Sequence, residues 1–387
     1  MTDITKTTKK SVVYFQNLDG IRAIAALMVV VSHIEYHKVN FGFVRFGFLN
    51  ISSLGKVGVT IFFALSGFLI TYLLLEEKKN FEKVALKDFY IRRILRIWPL
   101  YFLVVLVGFF IYPAQGSSTA LWYSVFFIPN LAFCLSMLPA IFDPIWSIGT
   151  EEQFYIFHPH LFKIKKRENI LIAFFIVCIS IVLLGVIIRN INYSNSFLSA
   201  LSKLLYYARL DNMMIGAIAA VVYYNTKFPT FRFRFQKLFD LIFIKAVQWL
   251  ILTAFIVFVY FYITYTIPMG ELVIAALAAM LIVNLCESQT SILSFDNKNL
   301  RYLGKISYGI YLLHKFPLFL TYYLVSRFMP NSGVFWQNVA LYLATMVMVI
   351  ALASLSYYGF ERYFLRIKSR FQKVTQGTNT TTSPAKN

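Results

Sequence analysis

Apolar runs long enough to cross a membrane recur along the chain, separated by short polar or basic linkers. They lie at about 17–36, 57–75, 98–112, 145–162, 170–188, 197–224, 241–262, 269–285, 306–325 and 336–359. About 20 apolar residues in a helix match the thickness of a bilayer hydrocarbon core. A further apolar segment, 122–142, is interrupted by Pro129 and Pro139, so we expect it to be re-entrant or peripheral. The pattern predicts an all-α, polytopic membrane bundle of about ten transmembrane helices.

The linkers differ in charge in a way that orients the bundle. Those at 76–96, 163–167, 227–237 and 298–305 are rich in Lys and Arg, whereas 113–120 and 264–270 contain neither. Because cytoplasmic loops carry an excess of Lys and Arg, both chain ends are predicted to be cytoplasmic. We divide the chain into an N-terminal lead-in (1–16), a transmembrane domain (17–365) and a basic tail (366–387). We expect the segment after Glu361 to be an amphipathic surface helix and 375–387 to be disordered.

Composition supports a membrane protein and argues against two other classes. Of 387 residues, 59% are hydrophobic and 14% are charged, and the net charge is +20. The basic residues cluster in linkers between apolar runs, which indicates membrane topology and no nucleic-acid partner. The three cysteines show no paired spacing, so neither a disulfide framework nor a metal site is predicted.

The first predicted helix carries an arginine and a histidine. Asn17 or Asp19 is expected to cap the helix. Arg22 and His33 would lie about 16 Å apart along its axis, which places the histidine near the middle of the bilayer. An ionisable side chain at that depth is costly and points to function. His33 is thus a candidate general base, although a structural hydrogen bond to a neighbouring helix would also explain it.

Two adjacent carboxylates lie in another apolar run. Glu151 and Glu152 cannot both face lipid, because burying an unpaired carboxylate is expensive. The predicted topology places them at a depth similar to that of His33. We therefore expect one of them to orient the imidazole.

Three further features lie in or beside apolar runs. Arg93 and Arg96 share a helix face and suit bidentate phosphate binding, although anchoring of the helix end would also explain them. His314 is a second intramembrane histidine, for which structural and functional roles both stay open. Ser66 and Gly67 leave one side of their helix narrow enough for close approach of another backbone.

In order along the chain, these motifs resemble those of the acyltransferase-3 family of polytopic membrane acyltransferases. The resemblance covers about 15–365. It rests on Leu18-Asp19-Gly20-Ile21-Arg22 with His33, the run 62–70, Arg93-x-x-Arg96-Ile97-x-Pro99, Trp146-Ser147 with 151–155, Ser307-Tyr308 with 311–314, and Tyr357-Tyr358 with Glu361.

The resemblance implies an O-acyltransferase of the bacterial inner (plasma) membrane. It would move an acyl group, commonly acetyl, from cytoplasmic acyl-CoA to a hydroxyl of a cell-surface carbohydrate or glycolipid, without a metal. His33, Glu151 and Glu152 would be catalytic, and Arg22, Arg93 and Arg96 would hold the donor phosphates. The possible accessory residues are Asp19, Ser66, Tyr311 and His314.

Some members of the family carry an additional C-terminal domain that completes transfer. Because this sequence ends soon after its basic tail, we expect transfer to finish here or in a separate partner. The alternative from another class is a proton-coupled transporter or flippase that uses the same buried His and Glu residues as a relay. The lack of an internal repeat and the paired arginines argue against it.

Overall fold

The computed structural model describes residues 11–13, 15–45, 50–111, 117–189, 196–265, 267–372 and 374–376. Most of the predicted lead-in (1–16) and the end of the predicted tail (377–387) lie outside these residues. The seventeen α-helices of the described part are α1 (Leu18–His37), α2 (Leu54–Phe81), α3 (Leu86–Ile111), α4 (Ser117–Val125), α5 (Pro129–Cys134), α6 (Ile145–Phe157), α7 (Arg167–Arg189), α8 (Ser196–Ala208), α9 (Leu210–Lys227), α10 (Gln236–Asp240), α11 (Lys245–Thr264), α12 (Gly270–Cys286), α13 (Lys298–Lys305), α14 (Ser307–Leu313), α15 (Lys315–Phe328), α16 (Val334–Ser356) and α17 (Arg362–Lys368).

Two three-residue strands join segments from opposite ends of the chain. β1 (Ser11–Val13) pairs in parallel with β2 (Val374–Gln376), and Ser11 lies opposite Val374. The prediction of disorder from Thr375 onward is therefore wrong for the first two residues of that segment, which belong to β2.

Five segments of the described chain are long and apolar enough to cross a membrane. They are Ile51–Phe81, Leu86–Ile111, Arg167–Ile188, Lys245–Thr264 and Val334–Phe371. The all-helical prediction is confirmed apart from the strand pair, but the count of ten spans is not confirmed.

Several predicted crossings are broken or short. The segment 197–224 is split at Arg209, whose φ of 44° lies in the left-handed region, and 306–325 is split at His314 between α14 and α15. α6 has 13 residues, about 20 Å of helix, and a 3₁₀ turn follows it. The interrupted segment 122–142 forms the short helices α4 and α5 and a 3₁₀ turn, Ala140–Phe142.

α2 is the central helix. Its apolar part is 78% buried, whereas those of α7, α11 and α16 are 22% buried, so the latter three present most of their apolar surface outward. α2 packs directly on α9 through two glycines. A Cβ on Gly67 would lie 1.9 Å from the Met213 carbonyl oxygen, and one on Gly216 would lie 1.9 Å from that of Ala64. The predicted close approach at Gly67 is thus confirmed, because only glycine lets these two backbones touch.

α1 runs from Leu18 to His37 as one helix and carries both Arg22 and His33, as predicted. The expected cap does not form. Asn17 uses its side chain to bond the Leu285 carbonyl and the Phe295 N–H, and Asp19 pairs with Arg22 at 2.7 Å. The Asn17 side chain is therefore committed to a tertiary contact and that of Asp19 to an ion pair within α1, rather than to capping the helix N-terminus.

Candidate active site

A polar cavity lies between α1, α2, α3, α6, α14 and α17. It encloses about 930 Å³, including its open mouth, and the α2 residues that line it run from Val59 to Leu73. Those 14 steps correspond to about 21 Å along the helix axis. The cavity is therefore elongated parallel to α2 and shaped for an extended ligand.

One end of the cavity is strongly basic. Arg22, Arg93, Arg96 and Lys368 line it, and Glu151 is the only acidic residue among the described lining residues. Asp19 neutralises Arg22. The other three cations form no ion pair or hydrogen bond within the described chain.

Arg93 shows how unusual this environment is. Its Nε is buried and has no hydrogen-bond partner among the described residues, and its guanidinium lies 5.6 Å from the centre of the Tyr155 ring. A buried guanidinium usually binds carboxylate or phosphate oxygens. Arg93 is therefore a candidate ligand for an anion in the cavity.

The two adjacent glutamates point in different directions. Glu151 faces the cavity, where it accepts hydrogen bonds from Ser66 Oγ (3.0 Å) and the Tyr155 hydroxyl (3.2 Å). Glu152 faces α3, and its Oε2 accepts a hydrogen bond from Trp98 Nε1 at 3.0 Å. The prediction that both carboxylates face the interior is confirmed.

The partner expected for His33 is wrong. Its Nδ1 lies 2.7 Å from Nε2 of His314, and the two rings are nearly parallel, with centroids 4.9 Å apart. Glu151 and Glu152 are committed to the other groups named above. The local sequence pattern does not predict this pairing, because the two histidines are 281 positions apart in the chain.

The hydrogen bonds of the histidine pair define the position of its protons. Nδ1 of His314 lies 2.7 Å from the Tyr311 carbonyl oxygen, which can only accept, so this nitrogen carries a proton. In a neutral His314 the other nitrogen, Nε2, is then an acceptor. His33 must donate to it from Nδ1, which leaves the lone pair of His33 on Nε2. That atom has no hydrogen-bond partner among the described residues, and the His33 ring is partly exposed.

Tyr311 connects the histidine pair with the cavity. Its hydroxyl lies 2.6 Å from Ser147 Oγ, and both residues line the cavity. Its ring packs edge-on against Phe62, near the Val59 end of the cavity. The histidine pair therefore lies beyond the end opposite to the basic residues, and the cavity lining itself does not include His33.

A second charged group adjoins the histidine pair and was missed by sequence reasoning. Lys315 is fully buried, and its Nζ lies 2.6 Å from Nε2 of His37 and 3.3 Å from Asp143 Oδ2. The signal was present in the sequence, since a lysine directly follows His314 within an apolar run. The described residues contain no cluster of three or more His, Cys, Asp or Glu side chains that could hold a metal.

The chain is similar to known acetyltransferases over most of its length. It is 29% identical over 382 residues to a putative peptidoglycan O-acetyltransferase of Bacillus subtilis, covering 90% of this chain and 54% of that protein. It is 28% identical over 396 residues to the peptidoglycan O-acetyltransferase OatA of Listeria monocytogenes, covering 94% of this chain and 59% of that protein. The chain thus spans little more than half the length of these relatives.

A family comparison agrees with these similarities, whereas no solved structure matches the chain. A model of the acyltransferase domain matches residues 15–358. This range includes both arginines of the 93–96 motif, the two glutamates and the histidine pair. The chain therefore belongs to the acyltransferase-3 family.

Proposed function

We propose that the protein is a bacterial membrane O-acetyltransferase that transfers acetyl from acetyl-CoA to a hydroxyl of a cell-envelope carbohydrate. Family membership and the relatives named as peptidoglycan O-acetyltransferases support this reaction. The observation that carries the proposal is the elongated cavity, one end of which has three cations without an ion pair among the described residues. Since the basic linkers argue that this end faces the cytoplasm, the donor would enter from there.

The cavity suits the chemistry of a CoA thioester. Arg93 and Arg96, with Arg22, would bind the phosphates by charge-assisted hydrogen bonds. The pantetheine arm would then extend along α2 through the length of about 21 Å towards Tyr311. A compact donor would leave this length unused, whereas an extended donor brings its reactive carbon close to the histidine pair.

His33 is proposed as the general base, acting through Nε2. It would take the proton from the acceptor hydroxyl while the oxygen attacks the thioester carbonyl carbon. The new ester C–O bond forms as the C–S bond breaks, and the imidazolium returns its proton to the CoA thiolate. His314 would position His33 in this scheme, and Glu151 would fix the cavity wall through Ser66 and Tyr155.

The proton-coupled transporter or flippase remains the second candidate. The succession of titratable groups from the partly exposed His33 through the buried His314 to the adjacent, buried Lys315 resembles a proton relay. A relay does not require three unpaired cations at one end of a cavity, so we favour acyl transfer.

A reconstituted assay separates the two functions. Purified protein in vesicles receives acetyl-labelled acetyl-CoA on the basic side and a peptidoglycan fragment on the other side. We expect labelled ester in the carbohydrate from the wild type, loss of turnover in His33→Ala, and mainly a raised KM for acetyl-CoA in Arg96→Ala. His160→Ala, which changes an exposed histidine, is the matched control. Wild-type turnover by His33→Ala would remove the catalytic assignment, and transport without ester formation would favour the relay.

A further inference from the structure

The chain beyond the family match contributes to the cavity. The match ends at residue 358, whereas the structure continues through a π-helical turn (Tyr357–Glu361), α17 and a 3₁₀ turn (Ser369–Phe371). The sequence predicts a surface helix and a basic tail in this region. Lys368, the last residue of α17, instead lines the cavity.

Local structure explains how this segment reaches the cavity. The π-helical turn joins α16 directly to α17, so one continuous helical segment runs from Val334 to Phe371 and carries Lys368 near its end. The 3₁₀ turn that follows α17 is anchored by Arg92, whose NH1 donates to the Phe371 carbonyl at 3.0 Å. Arg92 is held in turn by Glu77 at 3.0 Å. This anchor keeps the end of α17 against α3.

Lys368 stands where two chambers meet. It lines the main cavity and an adjoining chamber of about 450 Å³, as does Arg93. Among the described residues Lys368 has no ion pair or hydrogen bond. Arg22, Arg93 and Arg96 line the main cavity with it, and Arg92 and Arg93 line the adjoining chamber with it.

Such a group of like charges is unfavourable in the empty protein. Two unit charges 4 Å apart interact by about 4 kcal/mol at an effective dielectric constant of about 20. A surface lysine serving only to anchor the helix would turn towards water or an acidic neighbour. Lys368 faces three other cations across a cavity, and that arrangement becomes favourable when a polyanion lies between them.

We propose that Lys368 is a ligand for the phosphates of the donor, so that α17 forms part of the donor site. The ligand class is a phosphate-bearing polyanion, and the inference rests on the proposed function in naming that polyanion as CoA. Lys368 adds a positive charge at the junction of the two chambers, opposite Arg93 and Arg96. Its ammonium is a point-like donor that tolerates several orientations of a phosphate.

Binding of CoA to purified protein in nanodiscs tests this inference. Lys368→Gln removes the charge and Lys368→Arg keeps it. Arg366→Gln, two residues away on the exposed side of α17, is the matched control. We expect Lys368→Gln to weaken CoA binding about tenfold or more, and the other two variants to stay within about threefold of the wild type. Size-exclusion profiles and melting temperatures restrict the comparison to folded protein.

Two additional arms, with pantetheine and with anionic nanodiscs, make the result unambiguous. Pantetheine, which lacks the phosphates, should bind the wild type and Lys368→Gln equally. Equal CoA affinity of Lys368→Gln and wild type would overturn the role of Lys368, as would an effect that appears only when the nanodiscs contain anionic phosphatidylglycerol, since the site would then hold a lipid headgroup. A wild type that binds no CoA at all would instead overturn the proposed function.

Discussion

Removing the hydrogen bond between His33 and His314 is the most direct test of the proposed chemistry. Replacing His314 by Leu removes the acceptor that lies 2.7 Å from Nδ1 of His33 and leaves the shape of the site largely filled. His33 then loses the contact that places its lone pair on Nε2. Replacing His314 by Gln keeps an acceptor oxygen within reach of the same proton, and its amide group can still donate to the Tyr311 carbonyl.

The expected loss of kcat follows from the strength of the His33–His314 hydrogen bond before proton transfer and in the transition state. Before proton transfer the bond joins two neutral rings and is worth about 0.5–1.5 kcal/mol. In the transition state His33 becomes positively charged, and a hydrogen bond to a charged group is worth about 1.5–3 kcal/mol. Adding the loss of a fixed ring orientation, we expect the barrier to rise by about 2–3 kcal/mol, which lowers kcat about 30- to 160-fold.

The assay is turnover of labelled acetyl-CoA with saturating acceptor, performed on both variants. For His314→Leu we expect the fall in kcat with a KM for acetyl-CoA within about twofold of wild type, because the proposed site for the donor phosphates lies at the far end of the cavity. His314→Gln should recover most of the lost rate. Wild-type kcat in His314→Leu, or equal impairment of both variants at unchanged melting temperature, would refute the reasoning.

Two further predictions concern stability. Gly67→Ala should lower the melting temperature, because its Cβ would lie 1.9 Å from the Met213 carbonyl oxygen and overpacking costs about 1–3 kcal/mol. Gly185→Ala is the control and should leave the melting temperature unchanged, because the space around Gly185 is open. Equal melting temperatures for the two variants would contradict the packing argument. Asp143→Asn should destabilise the protein by about 3–5 kcal/mol, because it leaves the buried Lys315 ammonium unpaired. Adding Lys315→Met should restore part of that stability in a thermal melt, and a double variant less stable than Asp143→Asn would show that the pair is not the cause.

Some features of the site followed directly from local sequence. A continuous apolar run between Arg22 and His33 predicts that one helix carries both, and it does. Arg93 and Arg96 are three positions apart, so a helix brings both to the same face, and both line the cavity. Helical periodicity alone fixes such relations, because they do not depend on how helices pack.

Other features depend on contacts that local sequence does not encode. The partner of His33 is His314, which lies between α14 and α15 and 281 positions along the chain, whereas the sequence places two glutamates at a depth similar to that of His33. Lys368 resembles any basic residue after a last membrane helix, yet it lines the cavity beside a turn that Arg92 binds. Arg209 adopts a left-handed backbone conformation that divides a predicted span, and no glycine or proline lies at this position to predict the break.

The pairing of β1 with β2 has a consequence for how the molecule is made. Since the second strand consists of residues 374–376, the first must wait unpaired while almost the whole chain leaves the ribosome and enters the bilayer. A parallel pair so distant in sequence closes a very long loop, so it forms late. Biosynthesis therefore completes the helical interior first and the β1–β2 pair last, so a chain that ends before residue 374 would keep its apolar helices but lack the pairing that joins its two ends.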